Sequence, residues 1–169
     1  MTRYPRVLIV LHWLMALLIL AAWFTGEGGR SVRENPPLLH FLLGLAVLTL
    51  VLPRLVLRLA LGAPAPTATS PLLRRAAGLG HGVLYAFMIG LPLTGWYAAS
   101  RMGVPVNVFG YTLPSLTAAV QGSPGLIAEL HETGGTLILI LAGLHAAIAV
   151  WHQVVLRDGT LRRMSLSAG

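Results

Sequence analysis

The 169-residue chain is 56% hydrophobic and 10% charged, with a mean hydropathy of +0.77. Soluble domains carry about 25% charged residues, so an ordinary water-soluble fold is excluded and lipid becomes the expected solvent. The formal charge of +7 comes from twelve arginines and no lysine; these fall where membrane topology needs them, which makes nucleic acid a poor partner. The lack of cysteine excludes disulfides, thiolate metal sites and C-x-x-C-H attachments.

Four stretches, 7–25, 38–61, 79–100 and 126–156, are long enough to cross a hydrocarbon core that needs about 20 apolar residues. They predict an all-α membrane protein, a single domain over 1–169 built as a four-transmembrane-helix bundle, with helices at 7–25, 38–61, 72–100 and 124–156. The first begins after Pro5, a residue suited to a helix start. Arg3 and Arg6 before an apolar run resemble a signal peptide, but the run is too long for one and lacks a clear cleavage site, so it reads as a mature helix. The polar, glycine-rich stretch GEGGRSVREN (26–35) is a loop, after which Pro36 and Pro37 open the second helix. Pro53 removes a backbone donor from that helix and predicts a kink, as Pro92 does in the third. GAPAPTATS (62–70) is an irregular connection, and Ser70 with Pro71 forms a plausible cap and first turn. The stretch from Arg101 to Gly122 is long and rather apolar, and is expected to fold down as a lid.

Arg3, Arg6, Arg54, Arg58, Arg74, Arg75, Arg157, Arg162 and Arg163 lie on one side of this arrangement. Arg30, Arg33 and Arg101 lie on the other, and the bias places both termini in the cytoplasm. Arg30 and Arg33 are either ordinary loop charges or cations that draw an anion to the outer surface. Trp13, Trp23, Trp96 and Trp151 sit towards span ends, where aromatic anchoring is the ordinary role. Glu132 reads as a charge at a helix start.

All six histidines lie in or at the ends of apolar spans, where an ionisable group suggests function. His131 and His145 are fourteen residues apart, nearly four turns, so one helix face offers imidazoles about 21 Å apart in depth. Small residues flank both: Gly134 and Gly135, then Gly143, Ala146 and Ala147. This leaves room for a flat, bulky group, and the helix is expected to give one axial ligand to each of two haems held without covalent attachment. Topology leaves only His40 to join His131 outside. On the inner side His152 lies about 31 Å from His131, at the interface, so His12 and His145 form the better pair. His152 and His81 are then polar groups near the inner surface. His81 either bonds across helices or contacts a quinone; His152 is either an interfacial imidazole or a quinone contact. Zinc or copper is disfavoured because no carboxylate or thiol completes a first shell within the spans.

The segments VLIVLHWLMALLILAAW, PPLLHFLLG with RLVLRL, GLGHGVLYAFMIGLPLTGW, FGYTLP, LHETGG, GLHAAIAVWH and RDGTLRRM occur in that order over nearly the whole chain. Together they resemble the bacterial cytochrome b561 family. The resemblance implies a multi-pass protein of the bacterial inner membrane with two haems b, one on His12 and His145 and one on His40 and His131. It implies superoxide oxidation at the periplasmic side, ubiquinone reduction towards the cytoplasm, and a quinone contact at His152. A rival reading is a cytochrome b subunit of a larger respiratory complex, of the hydrogenase or formate dehydrogenase type, with a redox partner subunit and another one-electron donor. A third is a membrane scaffold whose histidines are structural.

Overall fold

The computed structural model describes residues 3–26, 32–62, 64 and 70–166. Its frame is four helices, α1 (Arg6–Thr25), α2 (Leu38–Leu61), α3 (Pro71–Met102) and α4 (Leu126–Val154), each long and apolar enough to span a bilayer. Pro5 and Pro37 precede α1 and α2, and Pro71 fills the first turn of α3, where a missing N–H costs no helical bond. Ser70 holds the cap position of α3, but its hydroxyl makes no capping bond. α2 and α3 run through Pro53 and Pro92 without ending. Gly103, at φ 72°, closes α3 in the left-handed conformation, its N–H reaching the carbonyls of Ala99 and Ser100. The third helix thus exceeds its expected 72–100 bounds at both ends, whereas the fourth is shorter than 124–156. Glu129, rather than Glu132, occupies the first turn of α4.

α1 packs on α2, α2 on α3 and α3 on α4, while α1 and α4 meet more sparingly. The central cluster takes Met15 from α1, Val47 and Val51 from α2, Met88 from α3 and Ile138 from α4. Lipid is as apolar as these side chains, so close fit rather than expulsion of water holds such helices together. Gly134 shows how tight the α3–α4 contact is. A Cβ there would lie 2.5 Å from Leu91 Cδ2.

The outer connection from α3 to α4 contains a short antiparallel hairpin, β1 (Asn107–Val108) with β2 (Tyr111–Thr112), that the sequence does not predict. Phe109 and Gly110 turn it, with φ of 47° and 88°, the sign pattern of a type I′ loop. Val104 and Val106 bury themselves with Val32 and Ala99, beside Phe41, Leu45 and Trp96, so this connection is packed onto the outer ends of α2 and α3. Arg33 fastens it further by donating to the carbonyls of Val120 (3.1 Å) and Gly122 (3.0 Å). At the opposite end, a 3-10 turn (Leu161–Met164) returns the tail to α1: Tyr4 N–H donates to Arg163 O and Trp13 Nε1–H to Met164 O. Both ends of the chain therefore meet on one side of the bundle, the arginine-rich side.

Candidate functional site

Histidines form two clusters, one at each end of the bundle. At the outer end, His40 of α2 and His131 of α4 face each other with ring centroids 5.8 Å apart and planes at 89°. Two metal–imidazole bonds of about 2 Å on opposite sides of one iron hold the ring centres about 6 Å apart, so the spacing fits a shared ion.

The tautomers fit as well. α1 ends at Thr25, which leaves the carbonyl of Ala22 among the last four without a helical donor, and His40 Nδ1–H fills it at 2.8 Å. His131 Nδ1–H donates to the carbonyl of Leu91 at 2.9 Å, with Thr94 Oγ1 3.4 Å away. In both rings Nε2 is thereby left with its lone pair, the arrangement metal-bound histidines adopt. Gly95 is the third determinant, since a Cβ there would lie 2.7 Å from His131 Cε1. A cavity of about 710 Å³ adjoins the pair, walled by Phe41, Gly44, Phe87, Trp96 and Gly135 among others. That is within the roughly 300–1,000 Å³ of small-molecule and cofactor sites. Apolar walls, small residues and two correctly protonated imidazoles suit a haem.

The inner cluster contains three imidazoles. His145 of α4 stands 6.2 Å from His12 of α1 and 5.2 Å from His81 of α3, centroid to centroid. The His12 spacing is closer to what one iron between two rings requires. His81 therefore stands beside the inner pair instead of near the surface, where the depth argument expects it. The reason is packing: α3 lies along α4, and ten residues from Pro71 carry His81 about 15 Å into the helix, level with His145. Its Nδ1–H donates back to Ala77 O at 2.6 Å. His12 differs from His40, His131 and His81, because its Nδ1 lies 2.9 Å from Arg54 Nη2. A guanidinium only donates, so here Nδ1 is the acceptor.

His152 is one residue pair apart from this cluster. The chain reverses after α4 through Arg157 (φ 53°) and Gly159 (φ 75°). Asp158 thus returns to the helix end, where its Oδ2 accepts from His152 Nδ1–H at 2.6 Å. Thr160 donates to Oδ1 from its hydroxyl (2.6 Å) and its amide (3.0 Å). Burial alone would raise the carboxyl pKa, but the bonds from Thr160 and His152 outweigh it and hold Asp158 at about 2. A depressed carboxylate stabilises the fold above its unfolded value of 3.8, and that contribution disappears as pH falls through about 2. Asp158→Asn, which loses a charge-assisted bond worth about 1 kcal/mol or more, is expected to lower Tm by about 2–4 °C at pH 7, as a thermal melt in detergent would read.

Arg30 lies outside the described residues. Arg33 is placed at the outer surface with its guanidinium engaged by the loop carbonyls. Sequence reasoning missed the carbonyls of Ala22 and Leu91, Gly95, Arg54 and Asp158. Of these, Arg54 had a signal: it lies seven residues, about 10 Å, inside the end of α2, deep for a charge that only marks topology.

A multi-pass helical membrane protein with imidazoles paired across its helices is the class this arrangement defines. The chain belongs to the prokaryotic cytochrome b561 family, whose model matches residues 3–165. It is a membrane electron-transfer protein, and the family implies haem b. Among its relatives, "Probable superoxide oxidase CybB" of Yersinia pestis is 30% identical over 167 residues, covering 96% of this chain and 95% of the relative. "Cytochrome b562" of Cereibacter sphaeroides is 33% identical over 171 residues, covering 95% and 94%. "Cytochrome b561 homolog 2" of Escherichia coli K12 is 25% identical over 170 residues, covering 96% and 90%.

Proposed function

We propose that this chain is a superoxide oxidase of the bacterial inner membrane, carrying electrons from superoxide at the periplasmic side to ubiquinone at the cytoplasmic side. The observation that carries the reading is the pairing of imidazoles at both ends of one bundle, 5.8 Å for His40 with His131 and 6.2 Å for His12 with His145. Both pairs take one member from α4. Two haems b, one on each pair, would supply one-electron carriers at two levels of the bilayer. The name of the Yersinia pestis relative supports the choice of substrate.

The residues then divide the work. His40 and His131 would hold the iron through Nε2, because Ala22 and Leu91 hold their other nitrogens. Arg33 adds positive charge at the outer mouth, where an anion would arrive. His152, held by Asp158 through Nδ1, would keep Nε2 for a quinone oxygen. His81 stands beside His145 as a second polar group towards the quinone. The whole reaction balances as two superoxide ions, one quinone and two protons giving two molecules of O2 and one quinol.

The test is a reduced-minus-oxidised spectrum with haem counted per chain, followed by rapid mixing with superoxide and ubiquinone. Two haems per chain and superoxide-dependent quinol formation are expected; a single haem, or reduction by superoxide without quinol, would overturn the reading. Arg33→Ser is expected to slow superoxide-driven haem reduction on the order of tenfold at low ionic strength, with the difference shrinking as salt screens the field. An unchanged rate at every salt concentration removes Arg33 from the steering role.

One observation favours a second reading, an electron-transfer subunit of a larger respiratory complex. Phe109 and Tyr111 at the hairpin tip are 89% and 79% exposed, and aromatic residues are enriched where proteins dock. Copurification with a periplasmic redox subunit and no turnover alone would select it.

A further inference from the structure

Arg54 is a charge without a counter-charge in the structure as described. Its guanidinium lies 2.9 Å from His12 Nδ1, 3.9 Å from Met15 Sδ, and 5.6 Å from the centre of the Tyr85 ring. Among the described residues no carboxylate meets it. The inner acid, Asp158, is engaged with His152 and Thr160, and Glu129 and Glu132 belong to the outer end of α4. A half-buried cation within a membrane span is costly unless an anion or a set of acceptors satisfies it.

The contact with His12 also has a chemical limit. An imidazole that binds iron through one nitrogen carries hydrogen on the other and donates it. Arg54 can only donate, so the bond to His12 Nδ1 and iron ligation by His12 through Nε2 exclude each other. When His12 serves as an axial ligand, the guanidinium must turn to a different acceptor. Haem b brings carboxylates on its edge, and a planar guanidinium matches a carboxylate with two parallel bonds.

We propose that Arg54 is the carboxylate receptor of the inner haem, exchanging its bond to His12 for a bidentate pair with a haem propionate. The inference rests on the reading that His12 and His145 hold that haem. Arg58, stacked over Tyr4 with its guanidinium carbon 5.1 Å from the ring centre, has an aromatic partner of its own and is the natural control.

The test is a spectroelectrochemical titration of the purified protein in nanodiscs, with the inner component identified as the one missing from His145→Leu. Arg54→Gln is expected to make the inner haem about tenfold harder to reduce at a fixed potential, a downward shift of about 59 mV for one electron, with the outer component unmoved. Arg54→Lys should recover most of that shift, and Arg58→Gln should move neither component. Reconstitution with the dimethyl ester of haem b, which lacks the carboxylate charges, should bring wild type and Arg54→Gln to within twofold of each other.

Two results would overturn the proposal: an Arg54→Gln protein with both haems at wild-type potentials, or a shift that persists undiminished with the ester. The latter would assign Arg54 to another anion, such as a phospholipid phosphate. Inner haem lost from Arg54→Gln but retained in Arg54→Lys also supports the proposal, while loss from both counts against it. A protein that binds a single haem in the wild type fails the dihaem reading itself, before Arg54 is tested.

Discussion

His131→Ala is expected to strip the outer haem and leave the inner one, halving haem per chain from two to one. On the proposed reading His131 would give the outer site its ligand from α4, and its Nδ1–H is fixed by the carbonyl of Leu91 at 2.9 Å. Alanine would remove both the iron–nitrogen bond and one of that carbonyl's two side-chain donors, leaving the Thr94 hydroxyl at 2.9 Å. His40 alone remains, still bound to Ala22, and one axial ligand in an apolar cavity cannot maintain a six-coordinate iron. Haem counted per chain, together with the loss of one component from the redox titration, reads the outcome. His152→Ala serves as the comparison, because that ring is tied to Asp158 at the helix end and should leave both haems in place. Retention of two low-spin haems in His131→Ala would remove this residue from the ligand set and with it the dihaem reading.

Gly95→Val is expected to weaken binding of the outer haem about 10–100-fold without replacing either proposed ligand. A Cβ at this position would lie 2.7 Å from Cε1, 3.1 Å from Nδ1 and 3.2 Å from Nε2 of His131, too close for the ring to stay where it is. Displacing it breaks the bond to Leu91, and the loss of such an orienting contact typically costs that factor in metal affinity. Valine adds branches to the same clash. The change shows as haem loss on dilution in detergent, compared with Gly78→Ala, where an added Cβ meets nothing within 4 Å. Equal haem retention in the two variants would mean that the ring at 131 does not need its present position.

Much of this was legible in the sequence because lipid makes polar residues conspicuous. Four helices follow from runs of apolar residues, and six imidazoles inside them could be sorted by depth from arginine positions and the 1.5 Å rise alone. The fourteen-residue interval between His131 and His145 needed only that α4 be one unbroken helix, which it is. What the sequence could not carry was anything made by backbone or by reversal of the chain. The acceptors at Ala22 and Leu91 are carbonyls, the same in every residue until tertiary structure selects them. Asp158 reaches His152 only because Arg157 adopts a positive φ, which an arginine does not advertise. The hairpin escaped notice for a similar reason: Phe109 occupies a left-handed position where asparagine or glycine would have signalled the turn. His81 comes beside His145 only through the packing of α3 on α4, and Arg54 marks topology in the sequence until its contact with His12 gives it chemistry.

The dependence of both imidazole pairs on α4 sets an order for biogenesis. During synthesis, His12 and His40 enter the bilayer early as half-sites, since their counterparts belong to α4. On the dihaem reading neither iron would be clasped from both sides until that helix inserts, and the 3-10 turn that follows it then latches onto Tyr4 and Trp13. On that reading a cell short of haem would hold both sites unfilled with all four helices already in the bilayer, so quality control would act only after α4 has inserted.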